Sequence, residues 1–107
     1  MICQNIRDEF IHIMAQEGVS LKHTWEILKL AATVQRIETD DCNRRITSAE
    51  AGKRMAAVIR INQICKPYNV KPIFDSDPRG ACVKLQFASG RTNDWAKSGF
   101  CVPTRSF

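Results

Sequence analysis

The chain has no Cys-x-x-Cys pair, no histidine spacing that suits a metal and no even cysteine count. Its cysteines stand at 3, 42, 65, 82 and 101, an odd number set far apart. That pattern argues against a disulfide framework and against a zinc site. It fits reduced thiols used as small apolar residues, as in a cytosolic protein. No apolar run approaches the roughly 20 residues of a membrane span. The opening "MICQNIRDEF" lacks a signal-peptide pattern, so the expected location is the cytoplasm. Also missing are phosphate-cradling glycine motifs, internal repeats, low-complexity tracts and linkers.

No catalytic constellation stands out either. Cys42 or Cys101 would need His12 or His23 beside it, and nothing local supports that. Glu38, Asp40 and Asp41 form an acidic patch with no matching cluster elsewhere. It reads as a solvated helix end, followed at once by Arg44 and Arg45. The expectation is a protein that is not an enzyme, with no catalytic residue, no metal and no cofactor.

What is present is the material of one small globular unit. The 107 residues predict one domain, with a helical part over 1–67 and a β part over 68–107. A chain this short buries only roughly two-thirds of its unfolded surface, which favours a groove or an interface over a deep cleft. The net charge of +5 favours anionic partners, although no long block of like charge occurs.

Ile2, Ile6, Phe10, Ile13 and Met14 recur at helical spacing over 2–16, and Gly18 suits a C-terminal cap. A second helix is expected from Ser20 or Thr24, either of which can cap it. One of its stripes is Trp25, Leu28, Ala31 and Ala32, and a neighbouring one is Ile27, Leu30, Val34 and Ile37. This helix is expected to fray around "ETDDCNRR". Thr47-Ser48-Ala49-Glu50 is a capping box that starts a third helix. Its expected buried face is Ala51, Met55, Val58, Ile59, Asn62 and Cys65, widened by Ile61 and Ile64. Lys53, Arg54 and Arg60 read as its solvent face, or as a groove-facing set. Pro67 stops the helix. The second and third helices make an αα-hairpin.

After Pro67 the period changes to 2. Val70, Pro72 and Phe74 alternate with Lys71, Ile73 and Asp75, and Ala81, Val83, Leu85 and Phe87 alternate with Cys82, Lys84 and Gln86. Ser89-Gly90 marks a second turn, Arg91 to Trp95 a short third strand and 100–102 a final extended segment. The expected class is α+β, with three N-terminal helices packed on a small C-terminal antiparallel meander.

Between the first two strands, Asp77, Pro78 and Gly80 fit a type I turn. Arg79 is left over, either as a solvated turn residue or as a contact to phosphate, carboxylate or an aromatic face. A two-residue loop pairs Phe74 with Val83, whereas a bulge at Gly80 pairs Asp75 with Val83. The first register is preferred. Lys71, Lys84 and Arg91 are candidates to support Arg79, with Trp95 and Phe100 adding aromatic surface. The candidate partner-binding set is Arg79, Lys84, Arg91, Asn93 and Trp95.

The C-terminal pattern "DPRG…VKL…SGRTNDW…G.CVP" runs from Asp77 to Pro103. Upstream stand His23-Thr24-Trp25, Cys42-Asn43-Arg44 and an Ala/Glu/Arg-rich helix. In these features the chain, from residue 23 on, resembles a group of short proteins encoded by tailed phages and prophages of enteric bacteria. The resemblance brings no catalytic or binding residues with it. It implies a phage accessory protein in the bacterial host cytoplasm, of a kind that often acts by stoichiometric binding to a host protein, such as a component of antiviral defence. The alternative is a nucleic-acid or nucleotide-binding protein that uses a basic, aromatic-containing sheet face. An uncovered sheet edge would favour a homodimer.

Overall fold

The computed structural model describes residues 2–77 and 80–94, with side chains described over 7–37, 44–74 and 83–93. Three helices, α1 (Ile2–Gln16), α2 (Leu21–Asn43) and α3 (Ser48–Cys65), precede a 3-10 turn at Lys66–Tyr68. Three strands follow: β1 (Lys71–Asp77), β2 (Gly80–Gln86) and β3 (Thr92–Asp94). They form one antiparallel sheet in the order β1-β2-β3. The fold is α+β, with the helices packed on the strands. The expected final segment over 100–102 lies outside the described residues.

Local chemistry sets most of the boundaries. α1 ends where Gly18 takes φ +85 and donates its N–H to the Ala15 carbonyl. A left-handed residue at this point costs glycine little. Ser20 caps α2, its Oγ accepting from the His23 N–H at 3.2 Å. α2 then ends at Asn43, inside the stretch where its end was expected. α3 opens on the full capping box: the Glu50 N–H donates to Thr47 Oγ1, and the Thr47 N–H donates to Glu50 Oε1. α-Helical geometry ends at Cys65, Pro67 sits inside the 3-10 turn, and Asn69 reverses the chain at φ +58.

The sheet adopts the two-residue-loop register. Phe74 lies opposite Val83, Pro72 opposite Leu85 and Asp77 opposite Gly80. Opposed residues share a face, so Val83 and Leu85 point into the core with Phe74 packed beside them. Lys71, Ile73, Lys84 and Gln86 take the other side. Pro78 and Arg79 make the connecting loop and lie outside the described residues.

One cluster of buried side chains joins the layers. Phe10 and Met14 come from α1, Ile27, Ala31 and Val34 from α2, Ala57, Ile61 and Ile64 from α3, and Val83 and Leu85 from β2. Here the expected face of α3 needs correction. Ala57, Ile61, Ile64 and Cys65 are buried, whereas Met55 is 60% and Ile59 49% exposed, and Asn62 faces solvent. α3 carries apolar residues on both sides, and its two neighbours, α2 and the sheet, select the Ile61 side. α2 is corrected in the same way: Leu28 and Ala31 are buried, but Trp25 and Ala32 fall outside the contact.

Candidate functional site

Lys84 sits in the middle of β2 on the face turned away from the core. It is half-buried, and β1 sets Ile73 opposite it while β3 sets Asp94 opposite it. Lys71 shares this face two positions from Ile73. These two cations are brought to the same side, as expected.

Arg91 is exposed, yet its guanidinium is engaged. Nη1 donates to Gln16 Oε1 at 2.8 Å and lies 3.9 Å from Glu17 Oε2. The Ser89 hydroxyl donates to the same Glu17 carboxylate at 3.4 Å. The turn itself is held by the Gly90 N–H on the Phe87 carbonyl and the Phe87 N–H on the Arg91 carbonyl, with Gly90 at φ +93. Arg91 therefore ties the β2–β3 turn to the end of α1.

Asn93 lies opposite Leu85, on the inner face. It is 5% exposed, and its Nδ2 donates to the Phe10 carbonyl at 3.1 Å. A buried amide with a bonded partner holds two elements together and offers nothing to a ligand outside. Of the five candidate residues, then, Lys84 is on the outward sheet face, Arg91 is bound to α1 and Asn93 is inside. Arg79 and Trp95 lie outside the described residues, as does Phe100.

Other polar groupings were not apparent from sequence spacing. The Tyr68 hydroxyl stands 2.6 Å from His23 Nδ1, with the two rings edge to face. The same hydroxyl lies 3.4 Å from Ser20 Oγ. Whichever partner carries the proton, the contact fastens the 3-10 turn to the start of α2. Among the described residues no group orients the imidazole through Nε2, so the third member of a nucleophile–base–orienter set is missing there. The residues lie 45 apart in the chain, and no local pattern marks them.

Two ion pairs brace the α2–α3 hairpin at opposite ends. Arg44 forks onto Glu50, with Nη2 to Oε2 at 2.7 Å and Nη1 to Oε1 at 3.1 Å. That hydrogen bond, with the one from the Thr47 N–H, pulls the Glu50 carboxyl down to about 2. At the other end Arg60 forks onto Glu26, at 2.8 and 3.3 Å, and lowers its carboxyl below the ordinary range. Cys65 is the cysteine whose side chain is described, and burial pushes its thiol up to about 11. It stays protonated at neutral pH and acts as core. Among the described residues no three His, Cys, Asp or Glu side chains gather as a metal site would require. No described helix is long and apolar enough to cross a membrane.

The surface carries large apolar side chains that α3 and α2 do not use. Met55 and Ile59 lie one turn apart on α3, and Leu21 and Trp25 one turn apart on α2. Arg7 of α1 covers the Trp25 ring, its guanidinium carbon 5.7 Å from the ring centroid. In comparison with known proteins, no family model, curated protein or solved structure matches the chain.

Proposed function

We propose that this is a phage-type accessory protein that binds a host protein stoichiometrically in the bacterial cytoplasm and thereby inhibits it, the target being a component of antiviral defence. The observation that supports binding to a protein is the exposed Met55–Ile59 pair on α3. Large apolar side chains, methionine among them, are typical anchors of protein interfaces. The phage setting rests on the resemblance of the Asp77–Pro103 pattern. On this reading the contact takes in Met55 and Ile59, with Arg79, Lys84 and Trp95 as the sheet-side candidates. Asn93 drops out because Phe10 occupies its amide.

Affinity purification of the tagged protein from infected cells tests this, with mass spectrometry and nucleic-acid detection on the eluate. The expected result is one host protein at near-equal molar amount, lost from the Met55→Asp/Ile59→Asp variant. Recovery of that protein unchanged with this variant, and with Arg79→Ala and Trp95→Ala, would remove the surface assignment. An eluate holding nucleic acid and no stoichiometric protein would favour the alternative of a nucleic-acid or nucleotide binder, for which Lys71 and Lys84 on one sheet face speak.

A further inference from the structure

The helical layer has an outer face of its own, away from the sheet. On α2, Lys22, Lys29 and Arg36 are all exposed and recur every seven residues. Seven residues are close to two full turns, so the three cations form one row with about 10.5 Å between neighbours. α3 runs antiparallel beside this row, and the Glu26–Arg60 pair fixes the alignment. Seven residues back from Arg60 along α3 is Lys53; seven residues on from Glu26 along α2 is Thr33. Lys53, also exposed, therefore falls beside Thr33, at the level between Lys29 and Arg36.

Among the described side chains, the charge on this face is one-sided. Glu26 is the acid within the row, and Arg60 neutralises it. Between the cations stand small side chains, Ala32, Thr33 and Ala56. Trp25, seven residues before Ala32, holds the equivalent place between Lys22 and Lys29 with Arg7 over its ring, and Met55 and Ile59 lie on the far side of α3.

From this placement we infer that the outer face of the α2–α3 hairpin, through Lys22, Lys29, Arg36 and Lys53, binds the phosphate backbone of duplex DNA. A protein partner would want several open aromatic or large apolar anchors at the centre of the contact, and here four cations surround a single one, Trp25, whose ring Arg7 already covers. A single-stranded nucleic acid would want open aromatic platforms, and the aromatic within this row has Arg7 over its ring. A rigid row of cations on two braced helices suits a stiff, regularly charged rod. Contacts of this kind are independent of base sequence. The inference uses residues other than those of the host-protein contact and stands apart from that reading.

Fluorescence anisotropy with a labelled random-sequence DNA duplex tests it. Binding is expected at low salt, with log K falling against log salt by about 0.9 for each phosphate neutralised. Lys29→Glu/Arg36→Glu/Lys53→Glu is expected to weaken binding at least about 10-fold and to flatten the salt slope by roughly 2 to 3. Lys71→Glu/Lys84→Glu on the sheet is expected to leave both unchanged. Lys29→Gln/Arg36→Gln, which adds no repulsion, should give a smaller loss in the same direction, and circular dichroism confirms that each variant is folded. The inference is overturned by no anisotropy change at the lowest salt, by wild-type binding in the helical-face variants or by an equal loss in the sheet variant. Preference for a single-stranded probe, or competition by polyglutamate as effective as that by unlabelled duplex, overturns it as well. Host-protein capture by the helical-face variant is scored separately and is expected to persist.

Discussion

Strand β2 buries Val83 and Leu85 and turns Lys84 and Gln86 the other way, whereas α3 buries Ala57, Ile61 and Ile64 and still shows Met55 and Ile59. The two elements use similar apolar residues under different constraints. A strand has two faces, and alternation assigns every residue to one of them. A helix spreads its residues around a full circle. When apolar residues occupy more than one arc, as in α3, the sequence does not choose among them. The neighbours α2 and β1 make the choice, leaving a surplus apolar stripe in solvent.

The largest effects should come from testing the two buried faces against the surplus one. Leu85→Ala and Ile61→Ala should each cost about 3 kcal/mol, since both side chains are fully buried. Ile59→Ala, on the opposite side of α3, should change stability by no more than about 0.5 kcal/mol, alanine being the better helix former. Urea denaturation of the three variants gives the comparison directly, and a costly Ile59→Ala would mean that α3 packs on the Met55 side instead.

A smaller effect separates a residue that holds the sheet from one that faces a partner. Asn93→Ala should cost about 1 to 2 kcal/mol through loss of the buried bond to the Phe10 carbonyl. Thermal unfolding of this variant beside Lys84→Ala measures the difference, and equal melting temperatures would return Asn93 to the surface set.

The smallest effect lies at the exposed hairpin end. The Glu50 carboxyl is held at about 2, below its unfolded value, by Arg44 and the Thr47 N–H. A depressed carboxyl stabilises the fold above its unfolded pKa, and the contribution disappears as pH falls from roughly 4 through its folded value. Arg44→Ala should therefore lower stability at neutral pH and flatten the acid limb between roughly pH 4 and 2. Unfolding curves taken across that window check the sign, and an unchanged acid limb would assign the low value to another cause.

The same contrast explains what could be read in advance. The Thr47–Glu50 capping box, the Gly18 and Gly90 turns and the Phe74–Val83 register depend on a few adjacent residues or on strict alternation, and each is present in the structure. The exposure of Trp25, the His23–Tyr68 contact and the Glu26–Arg60 brace depend on how elements dock, across gaps no local spacing reports. Asn93 is intermediate. Its side was implied once Leu85 was taken as buried and the β2–β3 register known, because Asn93 lies directly opposite. Its polarity made it read as surface.

The contacts that tie α1 down have a consequence for the order in which the chain can assemble. Phe10 is joined to Asn93, Gln16 to Arg91 and Glu17 to Ser89, so the first helix is fastened by the last described strand and its turn. On the ribosome α1 is made long before its partners, and these three attachments must wait until Ser89, Arg91 and Asn93 have emerged. The hairpin of α2 and α3 can close well before that, because its capping box and its Arg44–Glu50 pair are local. During synthesis, therefore, α1 lacks these fastenings while α2 and α3 gather, and β3 with its turn then locks it into place.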